Sequence, residues 1–88
     1  DQIPHIDPRE TRRVMILRMR SVPALDITAL NSLARLWKEC QRHRVQLILS
    51  HVNEQPLSVM RKSGFYEAVG EEWFCPNIDT ALELASKL

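Results

Sequence analysis

Residues 14–50 change hydrophobic period twice, and few folds accommodate that succession. Val14-Met15-Ile16-Leu17-Arg18-Met19-Arg20 alternates with a period of two, which predicts a strand. Met15, Leu17 and Met19 fall on one face of it, and Val14, Ile16, Arg18 and Arg20 on the other. Pro23 ends the ladder, because it has no N–H to donate. From Leu25 to Gln41 the period becomes about 3.6. Leu30, Leu33, Ala34, Trp37 and Cys40/Gln41 form the apolar stripe of a helix, with Asp26 at its N-cap and Arg42, His43 and Arg44 at its carboxyl end. Val45-Gln46-Leu47-Ile48-Leu49-Ser50 is then almost continuously apolar, the pattern of a strand covered on both faces in a parallel sheet.

The second half continues the alternation. Pro56 suits the first position of a helix that runs through Leu57, Val59 and Met60 and closes on a left-handed Gly64, with Phe65 packing back on Leu57 or Met60. Residues 66–69 are expected to form a short third strand and residues 70–74 a loop. Pro76-Asn77-Ile78-Asp79 introduces a last helix with Ala81, Leu82, Ala85 and Leu88 as its buried stripe. Ahead of these elements, residues 1–13 read as a polar lead-in, with a turn over residues 7–13. The fold class is therefore α/β, in the order β-α-β-α-β-α, with a mainly parallel sheet and right-handed crossovers.

Composition excludes several chemistries. The two glycines, Gly64 and Gly70, are too few for a Walker A loop or a dinucleotide fingerprint, which need several residues without Cβ at fixed offsets. Cys40 and Cys75 are expected to be free thiols in a reducing compartment. Cys40 and His43 have a ligand-like spacing but lack a matching second pair, so no metal site is expected. Ser50 and His51 adjoin on a strand end, where successive side chains point to opposite faces, and the histidine does not activate its neighbour. Glu71 and Glu72 are expected to be a solvated pair. No catalytic constellation and no cofactor are expected. No apolar run approaches the roughly 20 residues of a membrane span, and no signal-peptide pattern opens the chain.

Charge is unevenly distributed. Residues 1–44 hold Arg9, Arg12, Arg13, Arg18, Arg20, Arg35, Lys38, Arg42 and Arg44 and have a balance of +4, whereas residues 45–88 have −3, leaving +1 overall. Two readings fit the basic half: a mixed solvated surface, or a face that meets anionic headgroups or an acidic partner. Nucleic acid is not expected, since the pI of about 8.1 is modest and no aromatic residues interleave the basic stretch.

One turn has chemical character. Residues 22–30, Val-Pro-Ala-Leu-Asp-Ile-Thr-Ala-Leu, join a strand's carboxyl end to a helix's amino end, where free amides favour an anion or a phosphorylated hydroxyl. Asp26 as a cap and Thr28 bonding within the first turn account for the same residues.

Residues 16–30 together resemble the central strand and following turn of STAS domains in SulP-type anion transporters. The resemblance extends through Leu47-Ile48-Leu49-Ser50-His51-Val52, Gln55-Pro56-Leu57, Lys62-Ser63-Gly64-Phe65 and the ending that runs from Trp73 to Leu82, and covers residues 14–88. It implies a non-catalytic domain on the cytoplasmic face of the membrane that assembles or regulates an anion carrier. Its implied partners are the transmembrane domain of the same transporter, a regulatory protein, and a nucleotide or anion. The alternative is a free-standing anti-sigma factor antagonist, switched by phosphorylation of a hydroxyl directly after the aspartate. Asp26 matches that aspartate, but Ile27 has no hydroxyl, Thr28 occupies the second hydroxyl position, and Ala29 stands where many members have glycine. Asp26, Ile27, Thr28, Ala29 and Leu30, with Arg18 and Arg20 beside them, are thus the candidate partner- or anion-facing residues. The strand pair and helix that normally open such a domain have no counterpart in residues 1–13. An incompletely covered sheet edge, and hence a homodimer, is the corresponding expectation.

Overall fold

The computed structural model describes residues 13–88. β1 (Arg13–Arg18), β2 (Val45–Ser50) and β3 (Phe74–Cys75) form a sheet in the order β1-β2-β3, parallel throughout. β1 and β2 run in register from Arg13 opposite Val45 to Arg18 opposite Ser50, and Ser50 in turn lies opposite Cys75. All three carboxyl ends therefore meet at one edge of the sheet.

The strand alternation sorts side chains into two apolar layers. Met15, Leu17, Met19, Val45, Leu47 and Leu49 face a large core, against which α1 (Ile27–Arg42) sets Leu30, Leu33 and Cys40. α2 (Glu54–Ser63) adds Met60 to that core, and α3 (Phe65–Val69) adds Phe65 and Val69. Val14, Ile16, Ile48 and Cys75 face the other way, onto Ala81, Leu84 and Ala85 of α4 (Ile78–Ser86). β2, central and covered on both sides, has Leu47, Ile48 and Leu49 at 1% exposure or less, as an unbroken apolar run requires.

Several expectations are corrected. β1 ends at Arg18, before Met19 and Arg20: the Met19 amide makes the last bond to β2, to the Ser50 carbonyl at 2.9 Å, and the Met19 carbonyl then accepts the Val22 amide in a turn. α1 covers Ile27–Arg42, and Gln41 lies exposed, off the buried stripe. Pro56 is the third residue of α2, still within the first turn, where an amide has no helical partner to lose. Residues 66–69 are helical. Phe65 and Val69, four apart, are both buried, and a window of four residues is too short to separate a period of two from one of 3.6. Phe65 meets the Trp37 ring edge-on at 6.4 Å. The third strand lies within and just beyond the expected loop: Glu71–Trp73 makes a 3₁₀ turn and Phe74–Cys75 pairs with β2. On α4, Leu82 is 54% exposed and Leu88 lies at the surface, so Leu84 occupies the stripe position expected for Leu82. The lead-in and its turn, except Arg13, fall outside the described residues.

Candidate functional site

The segment between β1 and α1 is held from the start of α2 by two side chains 30 or more residues away, those of the N-cap Asn53 and the helical Gln55. Asn53 donates through Nδ2 to the carbonyl of Val22 at 2.9 Å and to that of Arg20 at 3.1 Å. Gln55 accepts the Leu25 amide on Oε1 at 2.7 Å and returns an Nε2 bond to the Leu25 carbonyl at 3.4 Å. Leu25, between these bonds, is buried in the main core. The segment is thus held by polar contacts outside and an apolar anchor beneath.

Asp26 follows directly, extended at φ −92° and ψ 176°, and its Oδ1 accepts the Ala29 amide at 2.8 Å. This is an N-cap, and it satisfies one of the first-turn amides. Ile27 opens the helix 68% exposed, the most exposed of the large apolar side chains described. Thr28 and Ala29 are exposed beside it, whereas Leu30 points into the core at 7% exposure. Of the five turn residues singled out in the sequence, Asp26, Ile27, Thr28 and Ala29 form one exposed corner, and Leu30 anchors it from inside. Arg20 joins the corner through its Asn53-bonded carbonyl. Arg18 sits at the carboxyl end of β1, opposite Ser50.

A cleft of about 500 Å³ lies beyond the ends of β2 and β3, with the clamp residue Asn53 in its wall. His51, Glu54, Leu57, Tyr66, Phe74 and Pro76 line it. His51 turns into the left-handed region at φ 55°, its amide bonded to the Cys75 carbonyl at 2.9 Å. Tyr66 rests on Phe74 with centroids 4.6 Å apart, and the Arg61 guanidinium covers the Tyr66 ring at 5.0 Å. Neither the clamp residues nor the cleft emerged from the sequence. A lone Asn and Gln at the start of a helix carry no periodic signal, and their partners are identifiable only once β1 and β2 lie side by side.

The cysteines occupy opposite layers, Cys40 in the main core and Cys75 beneath α4, and both are free. Burial pushes both thiols above their ordinary range, and the Glu39 carboxylate adds to the rise at Cys40. Cys75, at the floor of the cleft, is therefore a neutral thiol rather than a nucleophile. Ser50 is buried while His51 is exposed, so the adjacent pair does not act together. Among the described residues, no three His, Cys, Asp or Glu side chains are grouped to hold a metal ion, and no helix is long and apolar enough to cross a membrane.

The STAS domain family matches residues 4–81. The chain belongs to that family. Its STAS fold is similar to that of a sulfate transporter family protein from Wolinella succinogenes, with a TM-score of 0.81 and 38% identity over 89% of this chain and 64% of that one. Two Arabidopsis thaliana proteins are similar in sequence. The probable sulfate transporter 4.2 is 30% identical over 70 residues, and the chloroplastic sulfate transporter 4.1 is 31% identical over 70 residues. Each match covers 80% of this chain and 10% of the relative, so the chain spans about a tenth of the length of these curated relatives. In this STAS domain, the clamped corner with Ile27 stands at the turn that carries the family resemblance.

Proposed function

We propose that this STAS domain is a non-catalytic docking and regulatory module of an anion transporter, held at the cytoplasmic face of the membrane against the transmembrane part of the same protein. The corner of Asp26, Ile27, Thr28 and Ala29 is the contact, with Arg18 and Arg20 supplying positive charge beside it. One observation carries the reading: a large aliphatic side chain, 68% exposed, stands on a turn fixed by four long-range hydrogen bonds. An apolar group on a rigid support loses little conformational freedom when a partner covers it. With isoleucine directly after the capping aspartate, that position has no hydroxyl to phosphorylate, which favours constitutive docking over the switch of a free-standing antagonist.

Titration of the detergent-solubilised membrane portion of the carrier with this domain, followed by calorimetry, tests the proposal. Ile27→Glu and the Arg18→Glu/Arg20→Glu pair should each weaken association at least tenfold. Equal affinity of all three proteins would reject the corner as the contact.

A further inference from the structure

The uneven charge of the two halves of the sequence becomes a difference between two faces. α1 lies on one side of the sheet, and at about 100° per residue its Asn31, Arg35, Lys38 and Arg42 fall within an arc of about 60°. All four are exposed or half-exposed, on the side away from Leu30, Leu33 and Cys40. Arg44, also exposed, adds a further cation just past the helix end. α4 and the preceding 3₁₀ turn show the reverse balance: Glu71, Glu72, Asp79 and Glu83 against Lys87. α4 packs against the other face of the sheet, so basic and acidic surfaces are carried by opposite layers.

The basic face is not spent within the domain. Arg35 reaches only the Ser32 hydroxyl, at 3.3 Å, and no carboxylate among the described residues pairs with Arg35 or Lys38. Glu39 bonds Arg42 at 2.7 Å and lies 3.6 Å from His43, which offsets one of the four cations. Between Asn31 and Arg42 this face has no exposed large apolar side chain. A protein interface of ordinary strength is built around buried aromatic or aliphatic anchors, and none is present here. A row of flexible cations without an anchor is instead suited to a diffuse anionic surface.

We propose that the outer face of α1 lies along an anionic lipid headgroup surface, with Arg35, Lys38, Arg42 and Arg44 as its contacts. This extends the preceding proposal to a different surface, one turn or more beyond Ile27, and each can fail without the other. Each cation near such a surface raises affinity about fivefold. Arg35 to Arg42 spans about 10 Å along the helix axis, enough to place these cations over neighbouring headgroups at once.

Co-sedimentation of the 88-residue chain with phosphatidylglycerol/phosphatidylcholine vesicles at millimolar lipid and low salt tests this. Pure phosphatidylcholine vesicles serve as the neutral surface. Anionic vesicles should bind at least tenfold more tightly than neutral ones. Arg35→Gln/Lys38→Gln should reduce that binding by about 25-fold, and Lys62→Gln/Lys87→Gln, which removes the same charge elsewhere, by less than about threefold. Unchanged far-UV circular dichroism of both variants establishes that they fold. Equal losses in the two double variants would reduce the effect to net charge and overturn the proposal. Equal binding to anionic and neutral vesicles would also overturn it, leaving the face to an acidic protein.

Discussion

Gln55 and Leu25 form a two-way pair, the side-chain amide of one matched to the backbone N–H and C=O of the other at 2.7 and 3.4 Å. The glutamine thus serves Leu25 as a neighbouring strand would. Gln55→Ala leaves a buried residue's amide without its partner and should cost about 1–3 kcal/mol. Urea unfolding measures the loss, and amide exchange should accelerate more at Leu25 than at Ile48 in the central strand. An unchanged midpoint with unchanged exchange would show that water replaces the bond at no cost.

The cap at Asp26 separates chemistry from charge. Asp26→Ala removes the acceptor for the Ala29 amide and should destabilise by about 1 kcal/mol, while Asp26→Asn, which keeps an acceptor oxygen, should lose only a few tenths. Equal losses in the two variants would assign the effect to the negative charge at the helix start instead.

The two glycines differ in what a side chain would meet. Gly64 has φ 87° and open space around an added Cβ, so Gly64→Ala carries only the left-handed backbone penalty, about 1–2 kcal/mol. At Gly70, φ is 106° with ψ 131°, and a Cβ would come within 2.8 Å of Glu72 Oε1 and 3.3 Å of Trp73 Cδ1. The Glu72 carboxylate can swing aside, but Trp73 and a φ/ψ pair outside the left-handed helical region should make Gly70→Ala cost more, about 2–3 kcal/mol, and disturb the turn into β3. Thermal denaturation of both variants checks the order.

The thiols set an alkaline limit. Both folded pKa values are raised, so between the unfolded value of 9.0 and the folded one the unfolded state binds fewer protons. Stability should be level with respect to these groups below about pH 8 and fall as pH rises above about 9. Denaturant midpoints across roughly pH 7–10 should show that decline, and Cys40→Ala/Cys75→Ala should flatten it. A rise in stability over the same range would contradict buried, protonated thiols.

Local patterns carried most of the architecture. The period of two at β1, the stripe on α1 and the apolar run of β2 specify burial directly, and Asp26 and Gly64 act within their own turns. Residues 65–75 were harder to read, because the helix there is only five residues long and β3 only two. Segments that short carry too few turns or alternations to declare a period. Their state follows from packing: Phe65 against Trp37, and Phe74 beside the end of β2.

The candidate site divides along the same line. The sequence by itself determined that a capping carboxylate precedes an isoleucine at the start of a helix, since both features depend on residues no more than three apart. Only the tertiary structure decided that the segment before the corner is clamped by Asn53 and Gln55, that Asn53 also lines a cleft, and that α1 and α4 cover opposite faces of the sheet. Asn53 and Gln55 acquire their roles because parallel pairing brings the segment after β1 and the start of α2 to one end of the sheet, and a contact across 30 residues leaves no trace in local periodicity.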